Sequence, residues 1–394
     1  MKRITSFPSA IIIGASCLFA TGTLPRADSS EQARDRVIEQ LRIARKHYEI
    51  GADFTRRTEA LRVGLLRGLH LWPVPQGGPP RTIVHSRRDY PEYAVENVAV
   101  ESLPGFYCTG NLYRPLGRSG SRPAILLPDG HFRPLGRLRD EHQILAAHLA
   151  RMGAVVFAYS MVGWDDSVQT SHTDPLVPAL QTWNSIRALD YLSSMEEVDP
   201  TLIGVAGASG GGTQAIYLTI ADRRVRVCAA IVIVYPWSWF SPSCLCETGM
   251  GLMRAPGTNM VELAASIAPR PLLLVSCGRN AGAVDPTSTF PEDGWPFISS
   301  AYRAAGARMD VHSLHLGDEG HDYGPSKRAA TYAFFVEQLG LDPMAEDLGA
   351  IRLEAPGDLM VFESDHPLPP YAVCGVEETA TAFKSLIART DHRR

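Results

Sequence analysis

The chain has 394 residues, of which 45% are hydrophobic and 20% charged. These proportions exclude a disordered or fibrous protein and are typical of a globular enzyme. The formal net charge of -4 excludes the strongly basic surface that binds nucleic acid or an anionic membrane. We therefore expect no nucleic-acid or membrane partner, while charge and composition name neither the substrate nor the oligomeric state.

The N-terminus has the pattern of a secretory signal peptide. Lys2 and Arg3 precede an apolar run over residues 10–20, and small and polar residues follow it. The run is shorter than the roughly 20 apolar residues that a membrane-spanning helix needs. We assign residues 1–28 as a signal peptide and predict a secreted or periplasmic protein.

An N-terminal extension is expected over residues 29–91. A helix is predicted over residues 31–49, and the Pro-, Gly- and Arg-rich residues 71–91 are predicted to form a loop. Two strands follow, over residues 93–102 and 106–113. The Leu-Pro-Gly turn between these strands predicts an antiparallel hairpin.

Short apolar runs then alternate with helical patterns. The runs cover residues 124–127, 154–159, 203–206, 227–234, 272–276 and 311–316, and helices are predicted over residues 141–151, 180–195 and 327–339. Buried parallel strands joined by right-handed crossovers give a doubly wound α/β sheet. We assign residues 92–341 to this domain and 342–394 to an extension packed on it, with a strand over 358–362 and a helix over 376–387.

A glycine-rich turn carries the candidate nucleophile, Ser209. The strand at residues 203–206 runs directly into residues 207–212 (GASGGG), and a helical pattern follows. Strand, tight turn and helix around G-x-S-x-G form the nucleophile elbow of the α/β-hydrolase fold, which exposes a serine hydroxyl at the edge of the sheet. The backbone N–H of Gly210 lies at a helix N-terminus, so it is a candidate oxyanion donor.

Two further loops are expected to complete the catalytic machinery. The loop after the strand at residues 124–127 should supply a second oxyanion donor, the backbone N–H of Gly130 or His131. A serine hydroxyl also needs a base, and in this fold the histidine follows the last strand. His321 lies in a glycine-rich loop at that point (LGDEGHD), so we predict it to be the general base.

Two residues are candidates for the acid that orients the histidine. Asn280 stands at the usual place after the strand at residues 272–276, but an amide carries no charge, and Asp285 follows five residues later. Glu247 lies in the loop after the preceding strand, where a carboxylate among cysteines and glycines needs a partner such as the histidine. We prefer Glu247 and retain Asp285 as the alternative.

The cysteines permit disulfides and do not indicate a metal site. Seven are present, six of them after the signal peptide, and an oxidising compartment permits disulfides whose pairing the sequence does not assign. Cys244 and Cys246 form a C-x-C pair without a second pair of ligands nearby at zinc-site spacing. The sequence therefore predicts no metal and no other cofactor.

Together these segments resemble a known group of enzymes. Residues 198–218 (VDPTLIGVAGASGGGTQAIYL) and 243–251 (SCLCETGMG) are similar to secreted bacterial α/β-hydrolases of the acetyl xylan esterase-like kind. Residues 103–115 and 268–276 fit the same pattern. The resemblance implies an esterase of the α/β-hydrolase fold that needs no cofactor.

More distantly, the segment around Glu247 resembles the glucuronoyl esterases, whose catalytic glutamate lies in a similar position, and this resemblance favours Glu247 as the acid. Those enzymes carry an arginine directly after the nucleophile, where this chain has Gly210, so a uronate ester is less favoured as substrate. Trp237 and Trp239 precede Glu247, and their rings are candidates for stacking on a sugar.

The sequence thus predicts a serine carboxylesterase that hydrolyses small acyl esters, acetyl above all, on a polysaccharide through an acyl-enzyme. A glucuronoyl-type esterase and a serine peptidase of the prolyl oligopeptidase kind stay open as alternatives. Against the peptidase, fewer than about 100 residues precede the sheet, with no propeller repeat among them. An inactive binding protein on a hydrolase scaffold is the alternative from another class, and a fluorophosphonate probe would separate it from an enzyme.

Overall fold

The computed structural model describes residues 30–49, 51–235, 246, 258–343 and 351–391. The predicted signal peptide lies outside these residues. Of the helices within them, none is both long and apolar enough to cross a membrane.

A nine-stranded mixed sheet runs through the described residues. Nine of the eleven described strands form it, all but β9 and β10. The eleven are β1 (Thr82–Asp89), β2 (Tyr93–Leu103), β3 (Phe106–Pro115), β4 (Arg122–Pro128), β5 (Val155–Tyr159), β6 (Val198–Ala208), β7 (Val225–Ile231), β8 (Leu272–Cys277), β9 (Arg279–Asn280), β10 (Ala283–Val284) and β11 (Val311–Leu316). The sheet order is β1-β2-β3-β5-β4-β6-β7-β8-β11, and β9 pairs with β10 in a separate hairpin.

The sheet changes from antiparallel to parallel at β5. Strands β1, β2 and β3 pair antiparallel, as does β3 with β5. All pairs from β5 to β11 are parallel. Strand β5 and the last five residues of β4 are buried throughout, as expected of strands covered on both faces. The predicted fold, a doubly wound and mostly parallel sheet with an antiparallel N-terminal hairpin, is confirmed.

Helices cover both faces of the sheet. They are α1 (Ser30–Arg45), α2 (Gly51–Gly68), α3 (Asp140–Arg151), α4 (Val177–Ser193), α5 (Gly210–Ala221), α6 (Met260–Ala265), α7 (Phe290–Asp293), α8 (Trp295–Ala304), α9 (Pro325–Leu339), α10 (Pro356–Leu359) and α11 (Val376–Asp391). Apolar residues of α1, α2, α4, α5, α6 and α8 form one core cluster with the sheet. Residues of α3 and α9 form a second cluster with the sheet.

The N-terminal extension contains more regular structure than expected. Helix α2 is held to α6 by Arg57, whose Nε and Nη2 each donate to the Glu262 carboxylate at 2.7 Å. The predicted loop over residues 71–91 is wrong for its second half, where β1 pairs with β2. This polar stretch was missed because an edge strand takes its pairing from the backbone and leaves most of its side chains exposed.

The C-terminal extension is bonded to the body of the domain through a buried arginine. The side chain of Arg137 is fully buried, and it donates to the carbonyl oxygen of Leu359 at 3.1 Å and to Asp166 at 2.7 Å. Asp166 in turn accepts the backbone N–H of Val361 at 2.5 Å. Asn111 also donates to the Leu359 carbonyl, at 3.0 Å.

One of the two elements predicted in this extension is wrong. The helix over residues 376–387 lies within α11. The strand predicted over residues 358–362 does not form, because the chain makes the single helical turn α10 and its next backbone groups bond to buried side chains instead of a neighbouring strand. The apolar run here reflects the burial of Leu359 and Val361, with Met360 and Phe362 partly buried beside them.

Candidate active site

Ser209 lies at the tip of a strained turn between β6 and α5. Its backbone angles are φ 54° and ψ -126°, outside the regions that a residue with a side chain ordinarily occupies. Such a conformation costs on the order of 1–3 kcal/mol and persists only where the surroundings impose it. Here the Ser209 N–H donates to the carbonyl oxygen of Ile231 in β7 at 2.9 Å. The side chain is thereby held at the carboxyl edge of the parallel strands.

The turn requires glycine because strand and helix approach so closely. A methyl group on Gly207 would lie 2.3 Å from the carbonyl oxygen of Gly211, a separation that no packed carbon atom adopts. The oxygen belongs to the backbone, so it cannot yield as a flexible side chain would. This is the local reason why the sequence reads G-x-S-x-G.

The loop after β4 lies directly against Ser209. The position of a methyl group on Gly130 is 3.2 Å from Cβ of Ser209, and that of a methyl group on Gly210 is 2.9 Å from Cε1 of His131. The ring of Phe132 packs against that of His321, with centroids 6.3 Å apart. Residues 130–132 therefore lie between the elbow and the loop of His321.

The same contacts explain why Gly210 carries no side chain. Besides the His131 ring, the Sδ of Met161 would lie 3.1 Å from a Cβ at this position. Both neighbours are side chains, and both would have to move to admit even a methyl group. The space that an arginine after the nucleophile would need is taken by His131 and Met161.

The structure joins His321 to Asp285. Nδ1 of His321 lies 2.7 Å from Oδ2 of Asp285, which is 1% exposed. Oδ1 accepts two further bonds from Thr287, from its backbone N–H at 2.7 Å and its hydroxyl at 2.6 Å. Burial raises the pKa of the Asp285 carboxyl, but the bonds from His321 and Thr287 outweigh it, so the pKa lies below its ordinary value. Asp285 is thus an ionised partner for the ring.

A short hairpin explains how Asp285 reaches this position. The chain leaves β8 at Gly278, forms the β9–β10 hairpin, and returns so that the Asp285 N–H donates to the Gly278 carbonyl oxygen at 3.0 Å. The residues between Gly278 and Asp285 therefore form a hairpin that projects away from the end of β8. Asn280 lies in this hairpin, in β9, and Asp285 lies beside the end of β8.

Several predicted residues lie outside the described part of the chain. Glu247, the preferred acid, is one, and the two candidate sugar-stacking residues, Trp237 and Trp239, are the others. Among the described residues, the acid bonded to His321 is Asp285, the alternative retained from the sequence.

A buried thiol, Cys277, stands beside the acid and the histidine. One ligand atom from each of Cys277, Asp285 and His321 lies within 4.8 Å of the other two. Burial raises the pKa of Cys277 to about 12, so the thiol stays protonated near neutral pH. Because the thiolate is the reactive form of cysteine, Cys277 is not a rival nucleophile.

The sequence reading missed two residues close to the elbow. His172, in the loop before α4, places its Nε2 3.0 Å from Nε2 of His131. Cys246 places its Sγ 3.1 Å from the same His131 atom. Trp164 stands edge-on to both histidine rings. No spacing rule in the sequence connects these residues, because they are far apart along the chain.

Comparison with solved structures finds several esterases of similar fold. The chain resembles Methylesterase BT1017 with a TM-score of 0.81 and 32% identity, over 91% of this chain and 81% of that one. It resembles a Bacteroides fragilis protein provisionally described as an acetyl xylan esterase, with a TM-score of 0.55 and 16% identity over 74% and 83% of the two chains. It also resembles Glucuronoyl Esterase from Solibacter usitatus, with a TM-score of 0.51 and 15% identity over 70% of this chain and 91% of that one. The last two likenesses show the fold alone.

Comparison of sequences alone finds only partial matches. No protein-family model matches the chain. The chain spans 47% of the first curated relative, the Bacillus subtilis protein YtaP described as a hydrolase, and 32% of the second, an uncharacterised Pseudomonas aeruginosa protein.

The mostly parallel sheet and these likenesses define a protein of the α/β-hydrolase fold. The resemblance seen in the sequence, to acetyl xylan esterase-like and glucuronoyl esterases, is confirmed by the solved structures. The 32% identity across 81% of its counterpart goes further: the chain belongs to the family of Methylesterase BT1017.

Proposed function

We propose that the protein is a serine esterase in which Ser209, His321 and Asp285 form the catalytic triad. The observation that carries the proposal is the 2.7 Å contact between Nδ1 of His321 and Asp285, on the histidine loop that Phe132 connects to the elbow. Asp285 holds the proton on Nδ1, which leaves Nε2 able to accept the proton of the serine hydroxyl.

The reaction then follows the acyl-enzyme route. Ser209 attacks the carbonyl carbon of the ester while His321 takes its proton, and His321 returns that proton to the departing alcohol. The strained backbone at Ser209 supports this role, since it fixes the hydroxyl at the edge of the sheet before substrate arrives. Water, deprotonated by the same histidine, releases the acid and restores the serine.

The oxyanion donors are proposed to be the N–H of Gly210 and an N–H of the Gly130–His131 loop. Gly210 begins α5, where the helix dipole favours negative charge. The proximity of the loop to Cβ of Ser209 supports the second donor. Removing one such donor typically costs on the order of 10²- to 10³-fold in kcat.

The substrate is proposed to be a small ester on a carbohydrate. The sequence favours an acetyl ester, whereas the family relationship to a methylesterase favours a methyl ester of a carboxylic acid. The two differ in which side of the ester bond is small: the acyl group in the first, the leaving alcohol in the second. The methyl ester is the stronger candidate because it rests on the 32% identical relative rather than on likeness of fold.

Two measurements test the proposal. The purified mature protein should react with a fluorophosphonate probe, and peptide mapping should place the label on Ser209. Release of acetate from acetylated xylan, of methanol from methyl-esterified pectin and from a methyl glucuronate, and cleavage of a peptide amide should then be compared. Labelling elsewhere, or amide cleavage exceeding ester cleavage, would contradict the proposal.

Location outside the cytoplasm is part of the proposal. It rests on the Lys2–Arg3 and apolar pattern at the N-terminus. A polysaccharide ester is itself encountered outside the cytoplasmic membrane, so the predicted location and substrate agree.

A further inference from the structure

Three side chains that are far apart along the chain converge beside the elbow: His131, His172 and Cys246. Nε2 of His131 lies 3.0 Å from Nε2 of His172 and 3.1 Å from Sγ of Cys246. One donor atom from each residue lies within 4.8 Å of the others. We propose that these three residues form a Zn²⁺ site.

The spacing of the donor atoms fits a shared metal ion. With Zn–N near 2.0–2.1 Å and Zn–S near 2.3 Å, tetrahedral angles place two nitrogens roughly 3.3 Å apart and nitrogen and sulfur roughly 3.6 Å apart. The observed separations of 3.0 Å and 3.1 Å differ from these by a few tenths of an ångström. Small rotations of the side chains reach the metal-bound geometry without a change of fold.

The orientation of His172 supports the assignment. Its Nδ1 lies 2.5 Å from the carbonyl oxygen of Val162, which can only accept a hydrogen bond. The neutral ring therefore carries its proton on Nδ1 and turns the lone pair of Nε2 toward His131 and Cys246. A backbone carbonyl that fixes the tautomer in this way is the usual partner of a metal-binding histidine.

The surroundings also suit a metal. Cys246 is 2% exposed and carries a thiol rather than a disulfide. The edge-on ring of Trp164 shields both histidines, with centroids 5.7 Å and 5.9 Å away. Such a wall limits solvent access and keeps the ligands in place.

The donor set selects the metal. Imidazole nitrogen and thiolate sulfur together favour Zn²⁺ over Mg²⁺ or Ca²⁺, which prefer oxygen. Binding would displace the thiol proton of Cys246 to solvent, and His131 would bind through Nε2 with its proton on Nδ1. Three protein ligands leave the fourth position of the tetrahedron to water.

This proposal departs from the expectation drawn from sequence. The C-x-C pair was set aside because no second ligand pair stood nearby, but the fold brings in His131 from 115 residues upstream of Cys246. The site would tie the loop behind the oxyanion position, the loop before α4 and the segment of Cys246 to one ion. Its existence does not depend on the proposed ester hydrolysis.

Metal binding to the full mature chain tests the proposal. After loading with Zn²⁺ and removal of excess, elemental analysis should find one zinc per chain. Cys246→Ser and His172→Ala should each weaken binding by roughly 100-fold or more, since even the loss of a ligand's hydrogen-bond partner costs about 10- to 100-fold. Loading with Co²⁺ should give a thiolate-to-metal charge-transfer band that Cys246→Ser abolishes.

Two matched variants make the test specific. Cys374→Ser removes an exposed thiol and should leave both zinc content and the cobalt band unchanged. Asp285→Asn disrupts the other described cluster of potential ligands, Cys277, Asp285 and His321, and should also leave them unchanged. Circular dichroism checks that each variant is folded. If Cys246→Ser does not fold, His172→Ala provides the test of zinc binding in its place. Zinc content well below one per chain, or binding lost in Asp285→Asn and kept in Cys246→Ser, would overturn the proposal.

Discussion

Replacing Asp285 with asparagine tests the proposed triad most directly. The carboxyl accepts bonds on both oxygens, with Oδ1 bound to Thr287 and Oδ2 to Nδ1 of His321. Asparagine can keep its single carbonyl oxygen on the Thr287 side, and its amide group then faces the ring. Two N–H groups cannot face each other, so the proton of His321 would move from Nδ1 to Nε2.

The expected magnitude follows from that change of tautomer. A ring protonated on Nε2 cannot accept the proton of Ser209, and the imidazolium loses its counter-charge. Loss of the triad acid in this way costs on the order of 10⁴-fold in kcat. At 1.36 kcal/mol for each factor of ten, the barrier rises by about 5.4 kcal/mol. The free energy of unfolding should fall much less, by roughly 1.5–3 kcal/mol, the worth of one charge-assisted bond.

Steady-state kinetics on a soluble ester such as p-nitrophenyl acetate provide the assay, with Glu247→Gln as the matched control. We expect Asp285→Asn to be folded by circular dichroism and nearly inactive, while Glu247→Gln retains kcat within about threefold, a small fraction of the triad effect. A crippled Glu247→Gln beside a nearly unchanged Asp285→Asn would refute the assignment of Asp285 and restore the acid first preferred from the sequence.

Four other outcomes are expected. The folded state lowers the pKa of Asp285, so its ionised form stabilises the protein above the unfolded pKa of about 3.9. That stability is lost as the pH falls through the lower folded pKa. In urea unfolding, the difference in free energy of unfolding between wild type and Asp285→Asn should therefore shrink in acid. Ser209→Ala should lower kcat by about 10⁴- to 10⁶-fold without loss of stability, and activity within tenfold of wild type would exclude the nucleophile. Gly130→Ala places a methyl group 2.3 Å from the Ala208 carbonyl oxygen and should cost on the order of 10²-fold in kcat, whereas an unchanged kcat would show that this loop supplies no oxyanion donor. N-terminal sequencing of native protein should begin between residues 21 and 31, and an uncleaved start would disprove the signal peptide.

Local patterns in the sequence were sufficient to predict the sheet and the elbow. Buried parallel strands are continuous apolar runs, and the turn at Ser209 requires glycines that cannot be substituted. Both features therefore produce recognisable patterns among residues that are adjacent in the sequence. Strand β1 left no such mark because its polar side chains stay exposed and its pairing is made by the backbone.

The acid and the proposed metal ligands could not be read in the same way. Counting residues from β8 pointed to Asn280, because nothing in the sequence showed that the chain would turn out into the β9–β10 hairpin and return at Asp285. His131 and His172 are brought together only by the crossing of two loops after different strands. Contacts of this kind depend on tertiary geometry, which no spacing in one sequence encodes.

The buried Arg137 has a consequence for where this enzyme can be shortened. By pattern alone the domain ends near residue 341, and a truncation there would look harmless. It would remove the Leu359 carbonyl, which accepts from the guanidinium of Arg137 and the amide of Asn111, and the Val361 N–H, which donates to Asp166. A buried polar group that loses its hydrogen-bond partner costs about 1–3 kcal/mol or more in stability, a large part of the stability of an ordinary domain. The segment around Leu359 and Val361 is therefore a structural part of the fold, and the shortest stable chain extends at least to Val361.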